Sequence, residues 1–205
     1  MAIVVDKDRK REKIALSCKE LILKEGISSI SVASLAKEAG IGKGTFYEYF
    51  ESKDALIFEL VNILMQEHNL KKEQKLNSCN SAREKIKEFY SFFYSKDDCE
   101  LRRLYKEFLS IALISQDEKM IEFKSECFNF YFNWINTLIE DAIKSGELLS
   151  VAKDLIKGMY ALGEGMFIQS VTTKDIVNLE QDLNKCVDDI FDLVEIPRNI
   201  KKEKE

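Results

Sequence analysis

An all-α protein is the reading that three features of this sequence support. Breakers are scarce: the 205 residues hold one Pro and eight Gly, beside 13 Phe and seven Tyr, which favours helices in so apolar a chain. The stretch SVASLAKEAGIGKGTFYEYFESK, Ser31 to Lys53, reads as a short helix, a Gly-centred turn and a second short helix, the layout of a helix-turn-helix. Apolar residues then recur at helical spacing through the remainder. The expectation is a three-helix DNA-binding head followed by a larger helical body, about nine helices in all.

Taken in order, the first helix runs from about Asp8 to Glu25, with Ile14, Ala15, Cys18, Leu21 and Ile22 on one face. Gly26 supplies a stop that needs positive φ. Ser31 caps the second helix, in which Val32, Leu35, Ala36 and Ala39 point inward, and Gly40 ends it. The third starts at Gly42 or Lys43 and is about two turns long. Its Phe46 and Phe50 lie four apart and so share the core face. That choice turns Lys43, Thr45, Tyr47, Glu48 and Tyr49 elsewhere. Two tyrosines and a threonine on so short a helix suit a groove: hydroxyls for phosphate oxygens, a Thr methyl for a thymine. Ser52 caps the fourth helix. An ordinary capped helix start explains Ser52 equally well, while Lys53 in the first turn points to a phosphate.

The body begins after a linker helix, 54–70, and a polar break at 71–81. Ser81 to Glu84 forms a capping box ahead of Ile86, Phe89, Tyr90, Phe93 and Tyr94. Further helices are expected at about 97–115, 117–144, 152–171 and 176–194. The long one carries Phe123, Cys127, Phe130, Tyr131, Trp134, Leu138 and Ala142 as its apolar side. The segment 197–205, ending KKEKE, reads as a disordered tail. Division at 53/54 gives a DNA-binding domain, 1–53, and an effector-binding and dimerisation domain, 54–196.

Charge agrees with that division. The net charge is −5, yet residues 1–53 hold ten basic and eight acidic residues, with Lys7, Arg9, Lys10, Arg11 and Lys13 clustered. A local basic patch attracts phosphate within a Debye length of roughly 8–10 Å, whatever the distant body carries. Five scattered cysteines without CxxC spacing read as reduced structural thiols. One histidine, His68, and no clustered thiols argue against a zinc site or a histidine-based catalytic pair. No phosphate-binding glycine loop is present. No enzyme activity, cofactor or metal is expected. No apolar run approaches the ~20 residues of a membrane span, and a cytoplasmic protein is expected.

The stretch Ala33 to Phe50, ASLAKEAGIGKGTFYEYF, followed by Ser52-Lys53-Asp54-Ala55-Leu56, resembles the TetR family of bacterial transcriptional regulators. The resemblance implies a homodimer that grips double-stranded operator DNA through its heads and binds a small molecule in its body. By family position Lys43, Thr45, Tyr47 and Tyr49 face the groove or its phosphates and Lys53 the backbone, with Ser31 and Ser34 as phosphate contacts. Gly44, Arg9 and Arg11 complete the DNA-binding set. Gly42 stands where many members carry a polar residue.

In the body, aromatics at helical spacing are either plain core or the wall of a ligand pocket. The effector candidates are Phe89, Phe93, Tyr105, Phe108, Tyr131, Trp134, Phe167 and Glu164. Within an apolar stretch, Glu164 pairs with a Lys or Arg, meets a cationic ligand or lies at a solvated rim. Gly158, Gly163 and Gly165 share one helix, where they permit close approach of another helix, leave room for a ligand or mark a kink. Gly158, Gly165, Leu183, Val187, Ile190 and Phe191 are the dimer-interface candidates, in a four-helix arrangement of two helix pairs. The function read from this is a repressor that a small, largely hydrophobic effector releases from a palindrome. The alternative is a DNA-anchored protein-interaction module without a small-molecule switch.

Overall fold

The computed structural model describes residues 2–114 and 118–197. They form α1 (Ala2–Ser17), α2 (Lys19–Glu25), α3 (Val32–Glu38), α4 (Lys43–Tyr49), α5 (Lys53–Asn77), α6 (Ala82–Tyr90), α7 (Cys99–Ile114), α8 (Glu118–Lys144), α9 (Ile156–Thr172) and α10 (Leu179–Val194). Two compact units result, one of Met1–Lys71 with Cys99–Ser115, the other of Lys72–Asp98 with Gln116–Glu205. The fold is all-α, as expected. The tail assigned to disorder lies, beyond Pro197, outside the described residues.

In the first unit, the expected opening helix is two. Ser17 Oγ donates to the Ile14 carbonyl at 2.8 Å, and the Cys18 N–H reaches the Ala15 carbonyl at 3.2 Å. A hydroxyl competing for backbone, together with a tight i→i−3 bond, breaks the regular ladder there. The break lets Cys18 point wholly inward, its thiol 3.5 Å from the Leu35 carbonyl. Gly26 (φ +82°) and Gly40 (φ +65°) end α2 and α3 in the region that favours glycine. Ile14, Ala15, Ile22, Leu35, Phe46, Phe50, Leu56 and Leu60 are buried.

The linker helix does not stop at 70. α5 runs to Asn77, because LKKEQKLN is polar but made mostly of good helix formers. Lys72, at 4% exposure, belongs to the second unit. Its ammonium donates to the Glu88 carbonyl (2.8 Å), Glu88 Oε1 (3.1 Å) and Ser91 Oγ (2.5 Å). Burial pulls its pKa below the usual 10.5, against the raising effect of Glu88.

α6, α8, α9 and α10 build the second unit's core, centred on Ile86, Tyr90, Ile135, Ile139, Leu183, Val187 and Phe191. Ser81 caps α6 by accepting from Glu84 N–H at 3.1 Å. The expected box is shifted by one residue: the Glu84 carboxylate accepts from Asn80 N–H at 2.7 Å. Arg83 binds Glu195 through Nε (3.0 Å) and Nη2 (2.6 Å) and also reaches Asp192 (2.7 Å) and Asp188 (3.2 Å), tying α6 to α10. The α8 stripe differs from expectation. Ile135 and Ile139 are buried while Phe130 is 51% exposed.

Gly163 resolves the glycine question for α9. A Cβ there would lie 2.8 Å from the Tyr90 ring and 2.9 Å from Phe93, so close approach accounts for it. Tyr90 Oη meanwhile donates to the Met159 carbonyl. Around Gly158 and Gly165 the space is open.

Gly163→Ala is therefore expected to destabilise the protein by about 1–3 kcal/mol in urea unfolding, the cost of overpacking a tight core. Lys72 makes stability pH-dependent with a definite sign. Its folded pKa is the lower one, so above it the unfolded chain binds more protons. The Lys72 contribution to stability should then rise with pH up to about 10.5. The difference between the pH profiles of wild type and Lys72→Met isolates this slope.

Candidate nucleic-acid interface

α4 is a seven-residue helix whose orientation follows from two rings. Phe46 and Phe50 are buried with centroids 5.5 Å apart. Gly42, extended at φ −72° and ψ 153°, offers α4 its first acceptor, taking the Phe46 N–H at 2.9 Å. Burying the Phe face leaves Lys43, Gly44 and Tyr47 exposed and Thr45 and Tyr49 half-buried. Tyr47 is 50% exposed, its ring set edge-on to Phe46 at 5.6 Å, which steadies an otherwise exposed side chain. A Cβ at Gly44 would meet nothing within 4 Å, so the first turn of α4 is open to an approaching backbone.

The remaining predicted DNA-binding residues separate into an exposed arm and internal braces. Arg9 is exposed. Arg11 is committed inside the unit: Nε to Glu59 Oε2 at 2.8 Å, Nη1 to the Tyr49 carbonyl at 2.8 Å, and the guanidinium 4.7 Å from the Phe50 ring centroid. It thus satisfies a carbonyl at the end of α4 that the helix leaves open. Lys53 Nζ donates to the Ile27 carbonyl at 3.0 Å. Ser31 and Ser34 form a reciprocal capping box, each hydroxyl accepting the other's N–H at 3.1 Å. Lys10, from the same basic cluster, lies 5.8 Å from the Tyr49 centroid.

Glu59, Glu100 and Glu107 also escaped sequence reading. Their partners are Arg11, Lys19 and the Ile27 N–H, all distant in the chain, and no local pattern marks them.

In the second unit, Phe89 meets Tyr131 and Trp134 edge-on at 6.1 and 6.0 Å, and Phe93 stacks on Phe167 at 5.3 Å. Glu164 Oε1 is 2.5 Å from Lys124 Nζ, the paired alternative of the three. Tyr105 and Phe108 lie on α7, which groups with the first unit. The dimer set needs correction. Leu183, Val187 and Phe191 have no exposed surface in the single chain and pack in their own core. They face inward because α10 turns this stripe toward α6 and α9. Gly158 and Gly165 are exposed, and Ile190 is half-buried. Burial pushes the Cys18 thiol up and that of Cys127 to about 11, which keeps both protonated and unreactive at neutral pH. Among the described residues no cluster of His, Cys, Asp or Glu could hold a metal, and no helix is long and apolar enough to cross a membrane.

Residues 18–60 match the family model described as bacterial regulatory proteins, tetR family. The HTH-type transcriptional regulator YvdT of Bacillus subtilis is 46% identical over 48 residues, 23% of this chain and 25% of that protein. The chain thus spans about a quarter of the length of that curated relative. In fold, it resembles a transcriptional regulator from Saccharomonospora viridis solved in complex with choline. The TM-score is 0.73 and identity 16%, over 93% of this chain and 100% of that one. It also resembles the regulator FadR of Bacillus subtilis in complex with stearoyl-CoA, with TM-score 0.61 and 20% identity over 87% and 96%.

The brace and the arm should differ in stability. Arg11→Ala is expected to cost about 1–3 kcal/mol, the range for breaking a charged hydrogen-bond group. Arg11→Lys should recover little, since a compact ammonium lacks the planar fork that spans Glu59 and the Tyr49 carbonyl while lying over the Phe50 ring. Arg9→Ala should stay within about 0.5 kcal/mol, all read from denaturant unfolding.

Proposed function

We propose that this chain, a member of the TetR family of bacterial transcriptional regulators, reads a palindromic DNA operator as a homodimer and releases it when a small, largely hydrophobic effector binds its helical body. The observation that carries the reading is the outward face of α4. Lys43, the open backbone at Gly44, half-buried Thr45 and half-exposed Tyr47 present a cation, an approachable main chain and hydroxyls on one short helix. A major groove is wide enough to take such a helix, and the basic, exposed Arg9 suits adjacent phosphates. Ser31, Ser34, Arg11 and Lys53 act in this scheme mainly by holding the reader rigid, with phosphate contact secondary.

Dimerisation suits a reader of this kind, since two heads about 34–36 Å apart address successive major grooves. The open surface at Gly158 and Gly165, with half-buried Ile190, is the proposed contact between copies. For the effector, the proposed wall is Phe89, Phe93, Tyr131, Trp134 and Phe167. Choline and stearoyl-CoA in the two similar structures illustrate different chemistries. Here Lys124 already neutralises Glu164, which favours recognition by apolar surface over recognition of a small cation. An effector acts only through its differential affinity for the DNA-competent and incompetent states; roughly 1–3 kcal/mol gives 5–150-fold weaker DNA binding. The division of labour follows: head 1–53, body 54–196, working in the bacterial cytoplasm.

Fluorescence anisotropy on the full chain tests the groove assignment. Tyr47→Ala should weaken binding to a preferred duplex by roughly tenfold or more, about 1.4 kcal/mol, with folding unchanged. Lys43→Ala should weaken preferred and random duplexes alike and reduce the slope of log affinity against log salt by about 0.9. Wild-type affinity in the Tyr47→Ala protein would rule the face out.

A further inference from the structure

α7 belongs by packing to the first unit, yet residue 98 before it and α8, the next described element after it, belong to the second. It therefore offers a covalent route between effector body and DNA-reading head, separate from α5. What α7 holds in the head is α2, at both ends. Glu100 Oε2 is 2.7 Å from Lys19 Nζ, the first residue of α2. Glu107 Oε2 accepts the Ile27 N–H at 2.5 Å, just past its last. The two carboxylates are seven residues apart, on one face of α7 and roughly 10 Å along it, close to the length of α2.

The second grip is the more consequential. Glu100 is largely exposed, and such surface pairs contribute little. Glu107 engages a buried residue, Ile27, at the entry to the turn that leads into α3. Gly26 makes room for it: its φ of +82° is a conformation L side chains rarely adopt, and a Cβ there would lie 3.1 Å from Glu107 Oε2. On the other side, the Ile27 carbonyl accepts from Lys53 at the start of α5. Ile27 is thus clasped between α7 and α5, with α3 and α4 following directly.

We propose that Glu107 is a positioning residue for DNA reading: by holding the Ile27 amide it fixes the turn from which α3 and α4 depart. The proposal rests on the DNA-reading function above. Its test uses the full chain, a duplex that the wild-type protein selects from a random pool, a random-sequence duplex, and amide hydrogen exchange at Ile27. Glu107→Ala should speed Ile27 exchange and weaken the selected duplex roughly tenfold, the worth of a charge-assisted hydrogen bond, while leaving random-duplex binding unchanged. Glu107→Gln keeps a carbonyl acceptor and should restore both to within about twofold. If Glu107→Ala does not fold, Glu107→Asp, whose acceptor is drawn back by one methylene, is expected to show the same selective loss. Faster Ile27 exchange with undiminished binding to the selected duplex overturns the positioning role alone. Failure of the wild type to select any duplex overturns the DNA-reading function, and the positioning role with it.

Discussion

Two phenylalanine rings packed against each other carry the head. α4 is too short to hold its own shape in water, since helices below ~12–15 residues are marginal alone. Phe46 and Phe50, both essentially inaccessible, dock it, and each buried ring contributes about 1.5–3 kcal/mol. The guanidinium of Arg11 covers the Phe50 ring and closes the last turn by taking the Tyr49 carbonyl as acceptor, while Glu59 on α5 balances its charge. One arginine thereby joins α1, α4 and α5. With the inner face fixed, the outward set of α4 has no freedom left to choose.

The body relies on a different device. Its helices meet through rings and backbone at close quarters, and the absence of a single side chain at Gly163 lets Tyr90 and Phe93 reach α9. Charges guide the edges. Arg83 spreads over three carboxylates of α10 and the segment after it, and buried Lys72 anchors the end of α5 to the C-terminal turn of α6. An ammonium that burial disfavours is tolerated because three acceptors surround it. These contacts give α5 a defined partner in each unit: Glu59 with Arg11 in one, Lys72 with Glu88 and Ser91 in the other.

Most of the head was legible in the sequence because its signals are local. Ser31 with Ser34, Gly40, and Phe46 four residues before Phe50 each state their role within one or two turns. The break at Cys18 was not legible, since it depends on a hydroxyl choosing a backbone partner within an otherwise helical pattern. Nor was the length of α5, where polarity between Leu70 and Asn77 resembled a linker although its residues favour helix. Basic residues misled in another way. Arg11 and Lys53 look like phosphate ligands in a list of charges, but their partners, Glu59 and the Ile27 carbonyl, lie 48 and 26 residues away. In the body, helical periodicity located the elements and left the facing undecided, because long helices carry apolar residues on more than one side. Leu183, Val187 and Phe191, whose spacing suits an interface, are thus core, and Phe130, whose spacing suits core, is exposed.

In the proposed function the outward face of α4, paired across a dimer, reads two major grooves. Sequencing the duplexes that the full chain enriches from a random pool tests it most directly. The expected result is an inverted repeat whose half-site centres lie about one helical turn, or a small multiple of it, apart, with enrichment lost when Tyr47 is replaced by Ala. Recovery of no sequence preference, or of a preference unchanged by that substitution, would contradict it.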